Sequence, residues 1–145
     1  MLNFLRLFVL GFLLGGWFRL YAVTHPTAVR TGMADFVVDQ IDEGSPPGSL
    51  VFQTSGDAEV ATCPFGNPAF GAASSGTATA NALTADSSAT GGTIAKARFK
   101  NAAGTDKVIC SVTATGGGGD IEMNSVVVSA GQQVSVTSLT YSAAP

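Results

Sequence analysis

Imidazole, indole, sulfur and charge are all scarce in this chain, and each shortage removes a class of function. There is one His and one Trp in 145 residues, His25 and Trp17, and neither type recurs from Met33 onward. General-base catalysis by imidazole, and with it the Ser-His-Asp and Cys-His arrangements, has no candidate in that region. The two cysteines, Cys63 and Cys110, form no CxxC pair, and with one distant His they supply too few ligands for zinc. Each lies in an apolar strand-like run, which leaves two buried free thiols or a disulfide, a choice that geometry decides. Charged residues make up only 12% of the chain, about half the ~25% of an average domain. All ten acids fall at or after Asp35, where only Lys96, Arg98, Lys100 and Lys107 balance them. An acidic body of this kind excludes non-specific nucleic-acid binding. The acids are also scattered singly, without the spacing of a calcium loop or a carboxylate dyad. Gly116–Gly119 is no phosphate loop, because Asp120 and Glu122 follow it in place of Lys and Ser or Thr; those two acids read as solvated. No catalytic, metal or cofactor-binding residue is assigned, no cofactor is called for, and no small-molecule substrate is implied.

What remains is Ala, Gly, Ser, Thr and Val, the composition of a β-protein whose outer faces carry hydroxyls. The stretch from Asn67 to Leu83 (NPAFGAASSGTATANAL) shows this most plainly. It holds no acid, base or thiol, and one large anchor, Phe70. It reads as a close-packing segment with Phe70 plugging one end of a core.

Residues 1–32 differ from the rest. They carry Arg6, Arg19 and Arg30 with no acid, and Leu7 to Phe18 is an uncharged apolar run. Twelve residues are short of the ~20 a membrane span needs, and match the apolar region of a signal peptide. Arg19, however, sits where a cleavage site needs small residues. Three readings stand: an over-extended start with Met33 as the true first residue, a signal or anchor, and an ordered extension. The expected organisation is thus an apolar, basic extension over 1–32 and a single β-domain over 33–145.

Within 33–145, Met33 to Glu43 predicts a short helix with Phe36, Val37 and Ile41 on its inner face, ended by Gly44 and Pro46-Pro47. From Ser49 the period is two. Strands are predicted at Ser49–Thr54, Glu59–Phe65, Gly76–Leu83, Thr93–Lys100, Lys107–Thr115, Asp120–Met123, Val126–Ser129 and Gln132–Ser142. Thr93–Lys100 and Lys107–Thr115 should pair as an antiparallel hairpin. Bends or bulges are expected near Asn124-Ser125 and Thr137-Ser138. About seven or eight short strands with regular turns predict an all-β fold, an antiparallel sandwich or jelly-roll-like barrel with a short N-terminal helix.

Two features are candidates for protein contact. Lys96, Arg98 and Lys100, with Lys107 nearby, hold every positive charge of 33–145 and point to one face of a strand. Such charges protect a sheet from aggregation, or dock an acidic neighbour. Ala78 and Ala80 lie in a strand thin enough for another surface to approach.

From Met33 onward the pattern resembles a family of small virion proteins from the structural-gene region of tailed bacteriophages. The residues that carry the resemblance are Asp39–Gly44, Ser49–Thr54, Asn67–Gly71 with Gly76–Asn81, Thr90–Thr93 before Ala97–Lys100, Asn101–Thr105, and Asn124-Ser125 through Ala130–Ser138. Cys63, Cys110 and Lys96 depart from it, and nothing before Met33 has a counterpart. The resemblance implies a non-enzymatic β-sandwich of the virion. It would be a capsid decoration or cement protein bound to the major capsid protein at subunit junctions, or else a tail or head–tail junction component. A homo-oligomer such as a trimer would suit its low-charge surface. The competing class is a secreted or membrane-anchored adhesion module, for which residues 1–32 would be the leader or anchor.

Overall fold

The computed structural model describes residues 24–145; the readings of the signal, anchor or extended start fall largely on residues outside that range. The described part is mostly β, with one helix and a mixed principal sheet. Helix α1 spans Thr27–Ile41, and Pro26 is its N-cap. It therefore begins six residues before Met33 and runs through Gly32 without a break. The strands are β1 (Ser49–Gln53), β2 (Glu59–Pro64), β3 (Thr77–Thr79), β4 (Gly92–Thr93), β5 (Lys96–Lys100), β6 (Asp106–Ala114), β7 (Ile121–Met123), β8 (Val127–Val128) and β9 (Thr140–Ser142). Five of them form one sheet in the order β2-β1-β5-β6-β7, while β3-β9 and β4-β8 are two-stranded ribbons.

The period-two segments pair as their side chains demand. Leu50 and Phe52 of β1, Cys63 of β2, and Ala97 and Phe99 of β5 are all buried on the inner face. The β5-β6 hairpin is antiparallel, as predicted. The all-antiparallel expectation fails at β7, which runs parallel to β6 with Val112 opposite Ile121 and Ala114 opposite Met123. Parallel neighbours ordinarily need a crossover of about a dozen residues. Here the glycine run doubles back instead: a Cβ at Gly117 would lie 2.7 Å from the Thr113 Cβ, and one at Gly119 2.8 Å from its Oγ1. The two acids read as solvated fasten this loop. Glu122 accepts the Gly116 and Gly118 amides, and Asp120 accepts the Ser111 amide and hydroxyl.

Several predicted strands are shorter than their pattern, Val126–Ser129 among them, of which only Val127–Val128 pairs. Gly76–Leu83 yields only β3, Gln132–Ser142 only β9 with a single bridge from Val134 to Asp86, and Thr93–Lys100 splits into β4 and β5. The bend at Asn124-Ser125 moves the chain from the principal sheet to the β4-β8 ribbon. Cys63 and Cys110 are both free; Cys63 is buried, and its thiol lies 3.6 Å from the Val134 carbonyl oxygen.

The core closes on three aromatic rings. Phe65 lies 5.6 Å from Phe70 and 5.8 Å from Phe99, centroid to centroid, and Phe70 stacks on Phe99 at 6.3 Å. Phe70 is thus the anchor of the small-residue stretch, now seen gripping the sheet through Phe99. Over that stretch lies α1. Ala34, Val38 and Ile41 are its buried residues; Phe36, expected inside, is 67% exposed. The reason is the helix's polar line. Thr31 Oγ1, Asp35 Oδ1 and Asp42 Oδ1 accept the amides of Gly76, Ala73 and Ala69 at 3.0, 2.7 and 2.6 Å. That seam rotates α1 so that Val38 rather than Phe36 meets the core. Removing an acceptor strands a part-buried amide, at a cost of ~1–3 kcal/mol. Asp35→Ala and Asp42→Ala should therefore each lower unfolding free energy by about that much in urea titration, while Asp39→Ala, at an exposed position, should change it by less than about 0.5 kcal/mol.

Candidate contact surface

The outer face of the principal sheet carries the basic stripe. Lys96, Arg98 and Lys100 project there from β5, as their alternation predicts, but none is free. Asp57 Oδ1 takes the Lys96 ammonium at 2.8 Å and the Arg98 guanidinium at 2.7 Å. Arg98 also pairs with Asp106, which receives Lys100 at 2.5 Å as well. Arg98 further donates from Nε to Gln53 Oε1. Lys107 pairs separately with Glu43 at 2.8 Å, tying β6 to the end of α1. The result is a chain of three cations and two carboxylates along β5, one positive charge in excess.

Local backbone features build this arrangement. Asp57 holds a left-handed φ of 66° in the β1-β2 turn, a conformation Asp tolerates. A bulge between Phe99 and Lys100 is the second feature. Phe99 opposes Val108, so regular pairing would set Lys100 against Lys107; the bulge sets it against Asp106 instead. A like-charge pair is exchanged for an ion pair. None of these carboxylates stands out in the sequence, because each partner lies in a different turn.

The electrostatics follow. The Lys100 ammonium bonded to Asp106, seconded by Arg98, holds that carboxyl below its ordinary value. Lys96, then Arg98, does the same for Asp57, and Lys107, then Asn101, for Glu43. Asp106 in turn raises Arg98, with Asp57 second.

At the centre of the face, directly opposite Arg98 on β6, stands Ile109, 61% exposed. Period two identifies which residues point outward and says nothing of whether they are covered, so Ile109 does not stand out in the sequence. Ala78 and Ala80 lie elsewhere. Ala78 opposes Tyr141 in the β3-β9 ribbon and is fully buried, so it packs within the chain and has no surface to offer a neighbour. Ala80 is half-buried and bridges Phe70. A groove of about 420 Å³ opens on the opposite side of the sheet, between β7 and residues 132–139, over Leu50 and Phe52. Its one carboxylate, Glu122, is already engaged by the glycine loop. Among the described residues no cluster of three or more His, Cys, Asp or Glu could hold a metal, and no helix is long and apolar enough to cross a membrane.

No protein-family model, curated protein or solved structure matches this chain.

The pH dependence has a definite sign. Carboxyls whose folded-state pKa lies below the unfolded value, about 3.9 for Asp, contribute stability that is present above that value and lost as pH falls through the folded one. Melting temperature should therefore drop on the acid side below about pH 4. Asp106→Asn should be less stable than the parent at neutral pH and should show a shallower acid limb. Equal acid limbs in the two proteins would mean that this carboxyl is not held by its partners.

Proposed function

We propose that the chain is a non-enzymatic structural protein of a tailed-bacteriophage virion, a decoration or cement protein that seats on the major capsid protein at subunit junctions. The observation that carries this reading is the outer sheet face, where exposed Ile109 stands among charges already fixed by their own pairs. An apolar centre with a charged surround is the anatomy of a protein interface. Side chains held in place beforehand lose little entropy on contact. Charges fixed in this way would set the register of a docking neighbour.

The resemblance to small virion proteins and the Thr/Ser/Ala surface point the same way. On this reading the two ribbons and the segments between them are the second layer of a jelly-roll-like sandwich. Copies assemble with closed symmetry, a trimer being one solution, and gain hold by multivalency rather than by the strength of any one contact. A place at the tail or head–tail junction would use the same face.

Lys→Glu substitutions at 96 and 100 are a poor test, since a carboxylate at position 100 would meet Asp106 and disturb the fold along with any contact. Ile109→Asp is cleaner, because the side chain is mostly exposed. Capsids of the same phage assembled without this chain should bind the purified protein in a sedimentation assay. Ile109→Asp should weaken that binding about tenfold or more, a loss of ~1.4 kcal/mol, with an unchanged melting temperature. Binding of the variant equal to the parent would remove this face from the proposal, and no binding by the parent would remove the capsid.

A further inference from the structure

The ion pair that ties β6 to the end of α1 has a third member. Glu43 Oε2 accepts the Lys107 ammonium at 2.8 Å and the Asn101 carboxamide, through Nδ2, at 3.1 Å. Asn101 Oδ1 faces the other way and accepts the Thr105 amide at 2.9 Å. A backbone N–H only donates and an ionised carboxylate only accepts, so the two partners assign the two ends of the carboxamide. Asn101 is the one polar residue among the buried residues described, at 6% exposure, and the Lys107 side chain is only 19% exposed. The remaining ion pairs among the described residues lack such a third group: Asp57 and Asp106 receive only Lys96, Arg98 and Lys100.

The surrounding chain fixes all three side chains. In the β5-β6 turn the Asn101 amide donates to the Thr105 carbonyl, and the Ala102 amide donates to the Glu43 carbonyl at 3.3 Å. The end of α1 is thereby held against the turn that carries Asn101. Gly44 comes so close that a Cβ there would stand 2.6 Å from the Ala102 Cβ. Lys107 is the residue that the bulge leaves without a partner on β5. Its ammonium goes to Glu43, with Gln40 Oε1 a more distant acceptor at 3.5 Å.

An amine, a carboxyl and a carboxamide that converge on one oxygen are the parts of an amide exchange. A lysine amine is a nucleophile once it has given up a proton. A carboxamide carbon is the electrophile, and an N–H donor on its oxygen, as Thr105 supplies here, stabilises the charge that attack would place there. Glu43 Oε2 touches both the nitrogen that must lose protons and the nitrogen that must gain them, which is the placement of a general acid–base group. The two nitrogens can be no farther apart than the sum of their distances to that shared oxygen, so the reactants are already gathered.

We propose that Lys107 and Asn101 join in an isopeptide bond within the molecule, with Glu43 as the acid–base group. Nζ bonds to Cγ of Asn101 and the Cγ–Nδ2 bond breaks. Glu43 relays the two protons that the Lys107 ammonium loses to Nδ2, which departs as ammonium. Charge and atoms balance, nothing is oxidised or reduced, and the Glu43 carboxylate is regenerated. The product is a covalent clasp across the β5-β6 turn. This inference does not rest on a virion role.

Mass spectrometry of the purified full chain tests it. The parent should be lighter than its sequence by one ammonia. Trypsin does not cut after an amidated lysine, so the denatured parent should yield a peptide running from Asn101 to Pro145, lacking one ammonia and giving no fragment ions between Asn101 and Lys107. Lys107→Arg keeps the charge and Glu43→Gln keeps a hydrogen-bonding side chain; both should show the full mass and be cut at position 107. Far-UV circular dichroism checks that these variants fold, and the parent's own peptide decides the bond whether or not they do. Four results would overturn the proposal: a parent of full mass; loss of ammonia with cleavage after Lys107 intact, which would assign it to a succinimide; a link mapped to Gln40 in place of Asn101; and a folded Glu43→Gln that forms the bond to the same extent as the parent.

Discussion

Two oxygen acceptors on one line of the helix and a third at its C-cap fasten it to the rest of the fold. Thr31, Asp35 and Asp42 meet the amides of Gly76, Ala73 and Ala69, so the helix lies directly against backbone. Only small side chains allow that approach, and the segment beneath is built of Ala, Gly and Ser for that reason. A Cβ at Gly76 would stand 3.0 Å from the Cβ of Arg30. Once the seam is set, Phe70 is held over Phe65 and Phe99, and the helix presents Ala34, Val38 and Ile41 to the core. Part-buried amides that no strand pairs must find acceptors; here side chains of the helix and its C-cap supply them.

The sheet's outer face follows a comparable logic of satisfaction. Each cation from β5 has a carboxylate, and each carboxylate comes from a turn or from a bulge that shifts register. Exposed ion pairs of this kind add little stability individually. Their effect is geometric: they fix long side chains and leave Ile109 as the one large apolar group standing clear on that face. In the proposed role, a surface so prepared would serve contact with a neighbouring subunit.

Much of this architecture is legible in the sequence. The alternation of Ala97 and Phe99 with Lys96, Arg98 and Lys100 identifies β5 and its faces, and the hairpin with β6 follows from the turn between them. The role of Phe70 is legible too, as the only large residue in a stretch of small ones. What is hidden has a physical reason in each case. The parallel β7 depends on glycines that fold back against Thr113, a tertiary contact that no period reveals. Asp35 and Asp42 look like solvated helix acids, since their partners lie dozens of residues away. Ser and Val alternate through 134–138 as a strand would, yet only Val134 finds a bridging partner, in Asp86. Of the candidate contact residues, the basic stripe is on the surface as its pattern says, while Ala78 is consumed by packing.

The central claim is that the protein acts through the shape of one sheet face, within a particle. For the proposed virion role, an electron cryo-microscopy map of purified particles from the source of the chain is the most direct measurement. The account predicts density for the domain on the particle, with the β5-β6 face and Ile109 against a neighbouring subunit. Particles that lack the chain, or that hold it by the opposite face with Ile109 toward solvent, would contradict it.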